Sequence, residues 1–170
     1  MFPASWLLGG GLLGPVGAAV LGAFAGLLRG AWDTYSLFSI LELALIGTFF
    51  AAKMRQRYRT SAYKLLRQPI VGALLLIPFH FLFYVVSALF TQWGVDISSP
   101  ATARLDFALS NAGVVTLAFG GEMLAGGIVA QVISMAFSAA WGGKQPLAPS
   151  PGEKSLESRF IFAVGTFISL

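Results

Sequence analysis

Charged residues make up only 11% of this 170-residue chain, so each one inside an apolar run needs a physical reason. Three ionisable side chains lie within such runs: Glu42, His80 and Glu122. A charge in hydrocarbon is costly, so these groups should face a cavity or a partner rather than lipid. Counted at the helical rise, His80 lies about 16 Å from the inner end of its run. Glu122 lies about 15 Å from the outer end of its own run if the bilayer portion starts near Ala112. An imidazole and a carboxyl at similar depth can share a hydrogen bond or a proton. His80 and Glu122 are therefore a candidate intramembrane pair, either structural or part of a proton path. With no second relay group beside them, the structural reading is preferred.

A second group gathers towards the outer side from three parts of the sequence: Arg29, Trp32, Asp33, Glu42, Arg104 and Asp106. One reading is a small-molecule site with a charged rim and aromatic walls. The other is Trp32 and Trp93 as interfacial anchors beside Arg–Asp pairs at helix ends. Glu42 is expected roughly 6–9 Å inside its span. It needs a donor there, and Arg29 or Arg104 is the expected one. These charged residues are expected to converge on one cavity.

Catalytic chemistry finds no foothold. A single histidine excludes a multi-histidine metal site. The absence of cysteine excludes thiolate ligands, disulfides and a cysteine nucleophile. The glycine-rich GGGLLG lacks a preceding strand and the lysine-hydroxyl ending of a phosphate loop. Nothing resembles a nucleophile elbow. No catalytic residue, metal or cofactor is expected.

The elements that position these residues follow from composition. The chain is 56% hydrophobic with a mean hydropathy of +0.78. A soluble domain has about 25% charged residues, so the solvent for most of this chain is lipid. The first apolar run, Trp6 to Leu28, should break near Gly14-Pro15, because proline suits the first turn of a helix and not its interior. Gly22 and Gly26 form a small-xxx-small step suited to close helix packing, or simply belong to a Gly/Ala-rich membrane helix. A second run spans Ser36 to Ala52, about 17 residues and at the lower limit for a span. A third spans Pro69 to Thr91 and contains Pro78. A fourth, Leu105 to Ala140, would reach about 50 Å as one helix. It should either project from the membrane or break at Gly120-Gly121 or Gly126-Gly127.

The expectation is an all-α polytopic bundle of four transmembrane helices plus the start of a fifth. Residues 1–140 form the bundle, 141–159 a Pro/Gly/Ser-rich linker, and 160–170 the beginning of a further span. The start lacks the basic region of a secretory signal peptide. The apolar run at 160–170 is too short to span, which is the pattern of a fragment of a longer protein.

Six of the eleven basic residues lie between Lys53 and Arg67. Between two apolar runs this reads as a cytoplasmic loop rather than a nucleic-acid site. The loop can also meet anionic lipid head groups. With it inside, the 30–36 turn and the 92–104 connector lie outside, and the 142–158 linker returns to the cytoplasmic side if the fourth run crosses once.

The stretch LLGPVGAAVLGAFAGLLRGAWDTYSLFSILELALIGTFFAAKMRQR resembles the N-terminal membrane region of bacterial sensor proteins, the LytS-like five-helix receptor region of sensor histidine kinases. The matching features are Gly14-Pro15, Gly17, Gly22, Ala25-Gly26-Leu27 with Arg29, and Glu42 with Ile46-Gly47. RLDFALSN, GGEMLAGG and PSPGEKSLESRF are also similar. The resemblance implies a non-enzymatic input region in a bacterial cytoplasmic membrane. Its partners would be the lipid bilayer and a small-molecule ligand, with homodimerisation through signalling domains. No kinase, cyclase, HAMP or GAF-like sequence is present. The Gly-Pro-x-Gly helix is similar, too, to substrate-binding components of energy-coupling-factor vitamin transporters.

The loop assignment can be checked with single cysteines at Tyr58 and Ser98. An impermeant thiol reagent on intact cells should label position 98 and not 58. The reverse pattern would invert the topology.

Overall fold

Proline has no amide hydrogen and its ring clashes with the preceding helical turn, so the first apolar run divides at Pro15. In the computed structural model, which describes residues 3–90, 96, 98–142 and 146–150, helix α1 (Ala4–Leu12) ends just before this point. Gly14 then adopts φ +94°, a region glycine enters without a steric penalty, and Pro15 opens α2 (Pro15–Arg29) at its first turn. At nine residues, α1 is about 13 Å long, less than half a bilayer core. It is nevertheless deeply packed against α2 and two later helices, with Trp6 and Leu7 fully buried.

α2 continues as one π-helical turn, Gly30–Thr34, and the left-handed Tyr35 (φ +49°) closes the hairpin to α3 (Phe38–Arg55). The two helices touch backbone to backbone. A Cβ on Gly22 would collide with the Leu43 carbonyl, and one on Gly26 with the Ser39 carbonyl. The small-xxx-small face is therefore the α2–α3 contact.

A short α4 (Ser61–Leu66) leads to α5 (Pro69–Leu74) and α6 (Ile77–Phe90). Pro78 accounts for the division between the last two, since it cannot donate to the Leu74 carbonyl. Helix α7 runs unbroken for 36 residues, Ala101–Ala136. Of the two alternatives expected for it, a break at a glycine pair does not occur. Gly126 admits Leu7 and Pro3 at 2.9 Å from a Cβ built there, and Gly127 admits Ala73 at 3.0 Å. The missing side chains let α7 pass close to both α1 and α5.

The described structure is all-helical, and three of its helical stretches are long and apolar enough to cross a membrane: Pro15–Thr34, Pro69–Phe90 and Ala101–Ala136. α3 is not among them, and both Lys53 and Arg55 fall in its last turn. The expected further span at 160–170 lies outside the described residues, as do Trp93 and most of the 141–159 linker. What is described of the linker folds back onto the basic loop. Ala148 pairs with Tyr58 in a parallel bridge, and Arg57 Nη2 donates to the Gly142 carbonyl at 2.8 Å. The main core gathers Trp6, Leu7, Ile46, Phe50, Leu76 and Met123. A smaller cluster, Tyr84, Ala88, Ala108 and Ala112, joins α6 to α7 further from the basic loop. Val20, Phe24, Leu82, Leu117 and Val132 stay exposed, a distribution suited to lipid as the outer solvent.

Gly22→Leu or Gly26→Leu should force α2 from α3, at a cost of about 1–3 kcal/mol or more, as overpacking does in other cores. Thermal melting in detergent measures this. Unchanged midpoints in both variants would mean that the contact does not hold the hairpin.

Candidate functional site

α3 ends and α5 begins at the same basic end of the bundle. Glu42 lies eleven residues from Lys53 along α3, and His80 lies eleven residues from Pro69 along α5 and α6. Both therefore reach about 16 Å from that end, and there they meet. His80 Nδ1 is hydrogen-bonded to Glu42 Oε1, with the two side chains 3% and 9% exposed. The imidazole stacks on Phe119 of α7, with centroids 3.7 Å apart and planes 20° from parallel. The partner of His80 Nδ1 is thus Glu42, while Glu122, expected beside His80, lines the same cavity. His80 fills the role of partner to Glu42 that was expected of Arg29 or Arg104.

The α2–α3 hairpin stops short of its neighbours. From Lys53 to Phe38 is about 22 Å of helix, whereas Pro69 to Phe90 covers about 31 Å. This places the hairpin turn, with Arg29, Trp32 and Asp33, beside the middle of α7 rather than at its far end. Two adjoining chambers form around it. One, of ≈ 260 Å³, is bounded by Glu42, His80, Ser39, Thr34 and Tyr84. The other, of ≈ 310 Å³, is bounded by Trp6, Leu28 and Trp32. Arg29, Asp33, Phe119 and Glu122 line both. The Arg29 guanidinium lies 5.8 Å from the Phe119 centroid, within cation–π range. Arg29 Nε also approaches Asp33 Oδ2 at 3.5 Å, one turn along the same helix. Asp33 is well exposed, so this ion pair alone is weak.

Of the residues singled out in the sequence, Arg29, Trp32, Asp33, Glu42, His80 and Glu122 line these chambers. Arg104 and Asp106 do not. The Arg104 guanidinium donates to the Leu89 carbonyl at the end of α6, and Asp106 is exposed. The α7 residues lining the chambers begin at Val114, ten residues and about 15 Å further along. Convergence of all the outer charged residues therefore fails at α7, whose first turns run past the cavity. Phe119, Tyr84 and Ser39 were not anticipated. Counting α3 and α5–α6 from the shared basic loop would have placed Glu42 level with His80, but no sequence signal marked Phe119.

The arrangement can hold a proton between carboxylate and imidazole. It can also present a guanidinium, carboxylates, hydroxyls and aromatic faces to a small molecule. Among the described residues, no three potential metal ligands are grouped. Comparison with protein-family models, curated proteins and solved structures gave no match.

Glu42→Leu would leave His80 buried without its Nδ1 partner. An unsatisfied buried group costs about 1–3 kcal/mol. Glu42→Gln keeps an acceptor oxygen and should lose clearly less. Unfolding in detergent distinguishes them; equal losses would show that the hydrogen bond contributes nothing.

Proposed function

We propose that this chain is the membrane-embedded sensing region of a bacterial signal-transduction protein such as a sensor histidine kinase, carried in the cytoplasmic membrane. The observation that supports it most is the divided cavity, where ionisable and aromatic side chains from α2, α3, α6 and α7 face a space of small-molecule size. On this reading α3 crosses as a fourth span beside the three more apolar ones, and the run at 160–170 begins a fifth. The basic loop is cytoplasmic, so the cavity lies nearer the outer side. A ligand there touches four helices and shifts their packing only in proportion to its preference for one arrangement. α7 carries the shift to Gly142, whose amide donates to the Gly11 carbonyl at 2.9 Å, and on to the 146–150 strip beside Tyr58. The region itself performs no catalysis. On this reading an output domain would receive the shift through the 141–159 linker and would carry dimerisation.

A second reading, the small-molecule-binding subunit of an energy-coupling-factor-type transporter, draws support from the half-length α1 and the break at Pro78. Interrupted membrane helices beside a cavity are a common construction of transporter sites.

The chain has no native cysteine, so Tyr58→Cys and Ala148→Cys can carry a clean pair of spin labels. A small-molecule library is screened by thermal stabilisation, keeping compounds whose effect Phe119→Ala abolishes. Such compounds should change the 58–148 distance distribution in liposomes. Binding with that distance unchanged would defeat the sensing reading and favour transport.

A further inference from the structure

A second concave site lies at the opposite end of the bundle from the hairpin turn. α4, the start of α5 and the end of α7 enclose a shallow groove of ≈ 260 Å³ lined by Lys64, Arg67, Gln131, Ser138 and Trp141, among others, and by no carboxylate. The neighbouring arginines of the basic loop are engaged with the backbone: Arg55 Nη2 donates to the Leu12 carbonyl at 3.1 Å and Arg57 to Gly142. Lys64 and Arg67 instead line the groove, three residues apart and so on one helical face. Trp141 adds a donor that lacks an acceptor, since its indole nitrogen is buried without a hydrogen-bond partner. Indole N–H can only donate. Two cations, an unanswered N–H and a serine hydroxyl, set against one unanswered acceptor in Gln131 Oε1, favour a compact anion with several acceptor oxygens.

The position of the groove narrows the source of that anion. Pro69 begins the apolar stretch Pro69–Phe90, so Lys64 and Arg67 stand where hydrocarbon gives way to head groups. On α7, Val132 and Met135 are exposed and apolar, each one residue beyond a groove residue. A phosphate in the groove could therefore continue into acyl chains along α7. We propose that this groove is a phosphate-binding site and that it holds the head group of an anionic phospholipid from the leaflet on the side of the basic loop.

The test uses the whole chain in detergent with added lipid. Phosphatidylglycerol should raise the melting midpoint above that given by the same mole fraction of phosphatidylcholine. Lys64→Gln/Arg67→Gln should remove more than half of that difference. Lys53→Gln/Arg59→Gln, with the same change in charge outside the groove, should retain it. Trp141→Phe, which keeps the ring and deletes the N–H, should reduce the difference and serves if the double variant does not fold. Inorganic phosphate provides a separate arm. Protection by phosphate alone, lost in Lys64→Gln/Arg67→Gln, would keep the site and overturn the lipid as its occupant. No preference for phosphatidylglycerol or phosphate, or equal loss in both double variants, would overturn the site itself.

Discussion

A carboxyl and an imidazole placed in an apolar bundle face a steep choice: each must find the other or carry an uncompensated desolvation cost. The hydrogen bond between Glu42 and His80 resolves it and in doing so sets the register of α3 against α6. Phe119 covers the imidazole, which brings α7 to the same level. The hairpin partner α2 is then held through the glycine contacts at Gly22 and Gly26. The chambers follow from this arrangement, because a hairpin held at that depth cannot fill the space beside the longer α6 and α7. Arg29 and Asp33 at its turn are left lining a void.

Much of this was visible in the residues. Gly14-Pro15 marked the first break and Gly22 and Gly26 the close helix pair, whereas the third run reads as one span despite Pro78. Register between helices was the part that could not be read. Apolar periodicity says which residues lie within a span, but not how far one span slides along another. Glu42 lies near the outer end of a short span and His80 midway along a longer one, yet both are eleven residues from the ends of the loop joining their helices. The glycine pairs of α7 were ambiguous for a related reason. A glycine can weaken a helix or admit a neighbour, and only the positions of α1 and α5 decide between these.

The two concave sites are unlike in chemistry, and α7 lines both. The cavity beside the hairpin turn mixes one guanidinium with carboxylates and aromatic faces. The groove at the basic end presents cations and donors with no carboxylate among its lining residues. Each suits a different environment: a small molecule with both polar and flat apolar parts in the first, a head-group anion in the second.

The uninterrupted length of α7 has a mechanical consequence. Its closest glycine contacts, at Gly126 and Gly127, lie close to one end of the rod. Pivoting there gives arms of about 38 Å towards Ala101 and about 14 Å towards Ala136. A tilt that swings the long arm by 3 Å moves the short arm by only about 1 Å. The rod would then be geared like a pry bar, exchanging travel for force, so a weak push on its long arm becomes a small, firm displacement beside Trp141.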